Sequence, residues 1–222
     1  MKIISFYSDS GGSGKSFLTM WVANILRNKF NKRVVIVDTV AGYENLSSKR
    51  KEELSYFENF NILKNDYTEI FQINRFEEFL SFCKEKEYEY DYMFVDVGTI
   101  NEINMYILMK CNFIFIVTDQ DFKLKYKIFN SFKNMIGKHK DFNIEEVRLV
   151  FNKVDKKIDE ENLIKFCSLN ENINFNDFVF PPIYYNKRNY SKFDTLSIGN
   201  GKIPVDLMNF TEKILDIINK KK

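Results

Sequence analysis

The sequence predicts an α/β fold, a mostly parallel twisted sheet flanked by helices, with residues 1–222 forming a single domain. Three observations support this expectation. Short β-branched or aromatic runs alternate with longer segments of helical spacing, the pattern of strands joined by crossover helices. The runs are nearly continuously apolar, as in strands covered on both faces. The first run ends in a glycine-rich turn that leads directly into a helical segment.

Taken in order, the expected strands are Lys2–Tyr7, Arg33–Asp38, Tyr92–Asp96, Phe113–Thr118 and Val147–Phe151. Between them, Ser16–Lys29, Arg75–Lys86, Ile103–Lys110 and Phe122–Ile136 have spacing compatible with helices. A last helix is expected from about Val205 to Asn219, where Leu207, Met208, Phe210, Ile214, Leu215, Ile217 and Ile218 form an apolar stripe. The segment Tyr43–Gln72 carries little pattern; a helix and a short edge strand are expected there. Pro181-Pro182 and Gly199-Asn200-Gly201 mark loops.

Composition narrows the chemistry. Lys+Arg 33 against Asp+Glu 31 leaves a net charge of +2, so no global field points to nucleic acid, although a local basic face fits within a balanced total. Three cysteines, Cys83, Cys111 and Cys167, are far apart and lack paired metal spacing, which suggests a reduced cytosolic compartment. The single histidine, His139, lies in a charged run and reads as a surface residue, which excludes multi-histidine metal sites. The 23 Phe and 12 Tyr residues, with abundant Asn, Lys and Ile, reflect compositional bias rather than base-stacking platforms. No run approaches the ~18 apolar residues of a spanning helix, and no leader precedes the first strand. A soluble, cytoplasmic protein without membrane contact is expected.

The turn after the first strand is the specific signal. Ser8-Asp9-Ser10-Gly11-Gly12-Ser13-Gly14-Lys15-Ser16 lies between Ile3–Tyr7 and the helical Phe17–Val22. Glycines let successive backbone N–H groups turn inward around phosphate oxygens, and the helix start adds partial positive charge. Lys15 supplies a cation to the outer phosphates, and the Ser16 hydroxyl suits magnesium. The common phosphate-loop pattern has glycine five residues before Gly14; this sequence has Asp9.

Gly11-Gly12-Ser13-Gly14-Lys15-Ser16, followed by a strand ending in Asp38, resembles the ParA/MinD family of partitioning and positioning ATPases, whose loop reads Lys-Gly-Gly-x-Gly-Lys-Thr. The resemblance extends through Val34–Asp38, through Gly42, Asn45 and Leu46, through the Walker B-like Tyr90–Asp96, and through Phe113–Thr118 and Leu149–Lys153. It implies a P-loop NTPase that binds ATP and Mg2+, with Gly11, Gly12, Ser13, Gly14, Lys15, Ser16 and Phe17 around the phosphates. It further implies metal ligation by Ser16, Asp38 and Asp96, catalytic roles for Lys15 and Asp38, and base contacts from Asn152 and from the loop at Pro181. Asn152-Lys153-Val154-Asp155 also reads as the guanine-selecting Asn-Lys-x-Asp of GTPases, but Asp96-Val97-Gly98-Thr99 lacks glycine three residues after the aspartate, which favours ATP.

Two positions depart from the family. Its signature lysine, which reaches across a nucleotide-sandwich dimer, would stand at position 10, where this chain has Ser10. The second aspartate of its Asp-x-Asp would stand at position 40, occupied by Val40. Loss of a cation and of a water-orienting carboxylate lowers the expected hydrolysis rate by orders of magnitude. The resemblance implies a nucleotide-dependent homodimer, a partition or adaptor protein as partner, and nonspecific DNA. A basic face for DNA would draw on Lys123, Lys125, Lys127, Lys138, Lys140, Lys187 and Arg188, residues that a solvated helix face explains equally well. The alternatives are a non-hydrolysing scaffold of the same fold, or a P-loop small-molecule kinase or GTPase.

Overall fold

A computed structural model describes residues 1–39, 69–73, 75–98, 101–119, 121–185 and 203–220. The strands are β1 (Lys2–Tyr7), β2 (Val34–Asp38), β3 (Glu69–Gln72), β4 (Tyr92–Asp96), β5 (Phe113–Thr118), β6 (Glu146–Phe151) and β7 (Phe178–Val179). They form one sheet in the order β3-β2-β4-β1-β5-β6-β7, and each described pair is parallel. The helices are α1 (Lys15–Phe30), α2 (Phe76–Lys86), α3 (Glu102–Lys110), α4 (Tyr126–Lys133), α5 (Glu160–Ser168) and α6 (Val205–Asn219).

Side chains alternate across the sheet, and this alternation divides the core into two layers. On one face Ile4 and Phe6 of β1, with Ile36, Phe94 and Phe115, pack under α1 and α6. On the other, Ile3 and Tyr7, with Val35, Val37, Met93 and Val95, pack under Phe79 of α2, Ile107 and Leu108 of α3, Phe129 and Phe132 of α4 and Leu163 of α5. Both layers are rich in aromatic rings. The Phe6 ring lies 5.5 Å from Phe115, 6.1 Å from Phe94 and 6.2 Å from Phe210 of α6. Burying such rings supplies roughly 1.5–3 kcal/mol each.

Helix ends follow local chemistry. Asn101 accepts a hydrogen bond from the Asn104 N–H at 2.8 Å to start α3, and Asp159 accepts one from the Asn162 N–H at 3.0 Å to start α5. Helix α1 ends at Asn31 in the left-handed region, with φ 50°, and the Lys32 N–H returns to Leu26 O at 3.1 Å.

Most sequence expectations hold within a residue or two. The expected helix Phe122–Ile136 is shorter: Phe122–Leu124 is a 3-10 turn, α4 begins at Tyr126, and the chain turns beyond Lys133 toward Gly137, whose φ is +69°. Helix α5 and strand β7 were not anticipated. Of the elements expected in Tyr43–Gln72, the edge strand is β3; the expected helix lies outside the described residues, as do Gly199-Asn200-Gly201, Val40, Gly42, Asn45 and Leu46. The three cysteines are free, and His139 is exposed, with its ring 4.8 Å from Phe142. Among the described residues no helix is long and apolar enough to cross a membrane.

Candidate functional site

Strand β1 is the centre of the sheet, with β4 on one side and β5 on the other, so the chain's topology reverses there. Open α/β sheets bind ligands in the crevice beyond the strand carboxyl ends at such a point. The glycine-rich segment sits at that place. Gly12 has φ +73° and Gly14 has φ +92°, backbone that side chains rarely adopt. A Cβ added at Gly11 or Gly12 would meet nothing within 4 Å, so space lies open over the loop. Gly14 caps α1 through its backbone alone: its carbonyl accepts from Leu18 N at 2.9 Å and no side chain caps this helix end. The first-turn N–H groups of a helix have no partner inside it, so Lys15, Ser16 and Phe17 present donors at the loop mouth by position. The Phe17 side chain itself points into the core, 5% exposed, with its ring 6.1 Å from Trp21.

Lys15 donates from Nζ to Ser10 O at 3.2 Å. Burial holds its ammonium pKa below the ordinary lysine value, Asp96 and Asp9 pull it back up, and Lys125 pushes it down. Ser8 and Ser10 share a hydroxyl–hydroxyl hydrogen bond at 3.1 Å. Asp9 is ion-paired with Lys125, which also donates to Ser10 Oγ at 3.3 Å.

Asp38 and Asp96 end adjacent strands and are direct register partners. They are 8% and 7% exposed, so the carboxyl edge beside Lys15 carries two buried acids in one row. Thr39 fastens the two strand ends: its N–H and hydroxyl donate to Asp96 O at 3.0 and 3.2 Å. Ile73 N–H donates to Asp38 O at 3.0 Å.

The far wall comes from the end of β6. Asn152, 1% exposed, donates from Nδ2 to Ser13 O at 2.8 Å, and Lys153 donates from Nζ to Gly12 O at 2.5 Å. The Asn152 amide expected to meet a base therefore braces the loop in this structure. A Cβ at Gly14 would stand 2.3 Å from that Nδ2, so this approach requires glycine. Pro181 is exposed on a loop fastened beside Asn152, because Ile183 N–H donates to Phe151 O at 2.9 Å and Phe180 packs 5.8 Å from Phe151.

The structure thus brings Gly11–Phe17, Asp38, Asp96 and Asn152 to one edge of the sheet. ATP and Mg2+ fit what is there. The Ser13 hydroxyl is a buried oxygen with no hydrogen-bond partner among the described residues, and the loop over Gly11 and Gly12 is open. Two carboxylates and the Ser16 hydroxyl are hard oxygens of the kind magnesium accepts alongside phosphate and water. Among the described residues no cluster of three His, Cys, Asp or Glu forms an all-protein metal cage, which magnesium does not require.

Sequence reading missed the contribution of Lys125 to the loop, naming it among candidates for a basic face or a solvated helix face; it is paired with Asp9, 116 residues away along the chain. Nothing in local pattern signals such a contact. Lys123, Lys127, Lys138 and Lys140 are exposed, and Lys187 and Arg188 lie outside the described residues. Thr39 as the clasp between the acidic strand ends was also not singled out.

A sequence profile described as the CobQ/CobB/MinD/ParA nucleotide binding domain matches residues 4–194. No curated protein sequence matches the chain significantly. Among solved structures, similarity extends to a protein described as a plasmid partition protein from Borrelia burgdorferi B31 bound to AMPPNP, at TM-score 0.62 and 19% identity, covering 100% of this chain and 99% of that one. The pNOB8 ParA bound to nonspecific DNA gives TM-score 0.62 at 14% identity, covering 100% and 99%. The MinC:MinD cell division complex of Aquifex aeolicus gives 0.61 at 15% identity, covering 97% and 96%. At these identities the structural likeness shows the fold.

Proposed function

Because the chain belongs to the CobQ/CobB/MinD/ParA nucleotide-binding domain family, we propose that residues 1–222 act as one ATP-binding switch of the ParA/MinD kind, for DNA partitioning or for positioning a cellular cargo. The supporting observation is the row formed by Lys15, Asp38 and Asp96 beside a loop whose Gly12 and Gly14 have positive φ. In this reading Gly11, Gly12, Ser13 and Gly14 line the phosphates, and the first turn of α1 directs its N–H groups at them. Lys15 neutralises the outer phosphates. Ser16, Asp38 and Asp96 hold Mg2+, which when bound screens the phosphate charge and aligns the terminal group. Asp38 orients the attacking water. Asn152 and Pro181 border the base.

Hydrolysis in this switch is slow. Position 10 carries a serine hydroxyl instead of a cation, and position 40 carries Val40 instead of a second carboxylate. Such groups are worth orders of magnitude in phosphoryl transfer. The same two residues favour a second reading, a scaffold in which nucleotide stabilises a homodimer without turnover. Similar proteins described as bound to nonspecific DNA and in complex with MinC suggest DNA or an adaptor protein as partners here. The cytoplasm is the compartment this reading requires.

The experiment is magnesium-dependent binding of fluorescent ATP and GTP analogues to the wild type and Lys15→Ala, with mass read by light scattering. Tight ATP binding that needs Lys15 and drives dimer formation is expected. Absence of binding by the wild type, or binding indifferent to Lys15, would refute the switch; brisk turnover by the isolated protein would refute its slow hydrolysis.

A further inference from the structure

Two ammonium groups converge on Ser10. Lys15 Nζ donates to its carbonyl at 3.2 Å, and Lys125 Nζ donates to its hydroxyl at 3.3 Å. Lys125 arrives from the 3-10 turn that follows β5, on the opposite side of β1 from β4 and its Asp96. Its side chain is only 14% exposed, and its present counter-ion is Asp9, whose own side chain is 45% exposed. Placing two like charges on one residue is unfavourable unless anions answer both. Asp9 answers Lys125 from the loop position where the common phosphate-loop pattern has glycine, and Lys15 is answered by Asp96 and Asp9 together.

We propose that Lys125 is a second phosphate-binding cation of this loop, paired with Asp9 in this structure and transferred to the terminal phosphate of a nucleoside triphosphate. This inference rests on the nucleotide-binding reading above and extends it. A lysine stem has four rotatable carbons and three donors, so the ammonium can leave a carboxylate for a nearby phosphate without moving the backbone. A triphosphate offers the loop more negative charge than Asp9 does, and phosphate–ammonium hydrogen bonds are among the strong ones. A diphosphate lacks the terminal group and carries less negative charge, so it competes less well with Asp9 for the Lys125 ammonium. The pair therefore makes the loop discriminate between triphosphate and diphosphate, with a cation supplied by the same chain. Lys125 serves the site that position 10 leaves without a charge of its own.

The test is titration of fluorescent ATP and ADP, with magnesium, into the wild type, Lys125→Gln, Lys125→Arg, Asp9→Asn and the Asp9→Asn/Lys125→Gln pair. Lys125→Gln should weaken ATP about tenfold and leave ADP within about twofold, while Lys125→Arg keeps most of the discrimination. Asp9→Asn should tighten ATP severalfold, and that gain should disappear when Lys125 is also changed. An ATP-to-ADP affinity ratio unchanged in Lys125→Gln, with Lys15-dependent binding intact, would overturn this inference alone. A wild type that binds neither nucleotide would overturn it together with the proposed function. Thermal unfolding of each variant separates a loss of binding from a loss of fold.

Discussion

Replacing Gly14 by alanine tests whether the loop is held in its shape by the wall behind it. The backbone there has φ +92°, and the new Cβ would lie 2.3 Å from Asn152 Nδ2. Left-handed backbone costs a residue with a Cβ roughly 1–2 kcal/mol. The amide must also move, breaking its 2.8 Å hydrogen bond to Ser13 O, which adds about 1 kcal/mol. The expected total is about 2–3 kcal/mol, or roughly 5–10 °C in Tm for a chain of this size. Urea unfolding monitored by circular dichroism, with unchanged m-value, measures it. Two glycines serve as controls. Gly137 has φ +69° and nothing within 4 Å of its Cβ position, so Gly137→Ala should show the backbone part alone, about 1–2 kcal/mol. Gly11 has open space and no left-handed φ, so Gly11→Ala should stay within about 0.5 kcal/mol. In an Asn152→Ala background, Gly14→Ala should lose its steric part and fall to the Gly137 value. Equal costs at Gly14 and Gly137, or a Gly14 cost unchanged by Asn152→Ala, would refute the idea that the Asn152 contact shapes the loop.

Two further outcomes follow from the core and the charges. Phe210→Ala should destabilise by about 3–5 kcal/mol, since the ring is fully buried against Phe6, and a loss below about 1 kcal/mol in denaturant titration would mean that α6 is dispensable. Lys15 has its folded pKa lowered, first by burial, so the unfolded chain holds a proton that the native state releases on the way up to the ordinary lysine value. Stability should therefore rise with pH in that alkaline window while nucleotide affinity falls, and both slopes should be lost in Lys15→Met; parallel slopes in the wild type would contradict the assignment.

Legibility in the sequence tracked the range of the interactions. The glycine loop, the aspartates ending β2 and β4, and the start of α1 are encoded within a few residues, and their positions were read nearly as they stand. Strand identity was also local, because Val34–Asp38 and Phe113–Thr118 are apolar on both faces. Helix α5 had a readable start, Asp159 followed by Glu160 and Glu161, but only Leu163 is buried on it, so no stripe announced it. Strand β7 is two residues long and exists only because β6 offers it an edge. The register that sets Asp38 beside Asp96, the Lys125–Asp9 pair and the Asn152–Ser13 brace are decided by tertiary packing. Asn152 illustrates the limit: nothing in the local sequence shows that its Nδ2 donates to Ser13 O, 139 residues away.

The pairing of α1 with α6 ties the first helix of the chain to the last one described. The same apolar layer that holds Leu18, Val22 and Ile25 also holds Leu207, Phe210 and Ile214, on the face of the sheet that carries Ile4 and Phe6. During synthesis the phosphate loop and its helix leave the ribosome early, yet the surface that covers them emerges nearly 200 residues later. Until then part of the apolar stripe of α1 lacks the cover that α6 supplies. Nascent chains stalled before residue 205 should therefore remain protease-sensitive around α1.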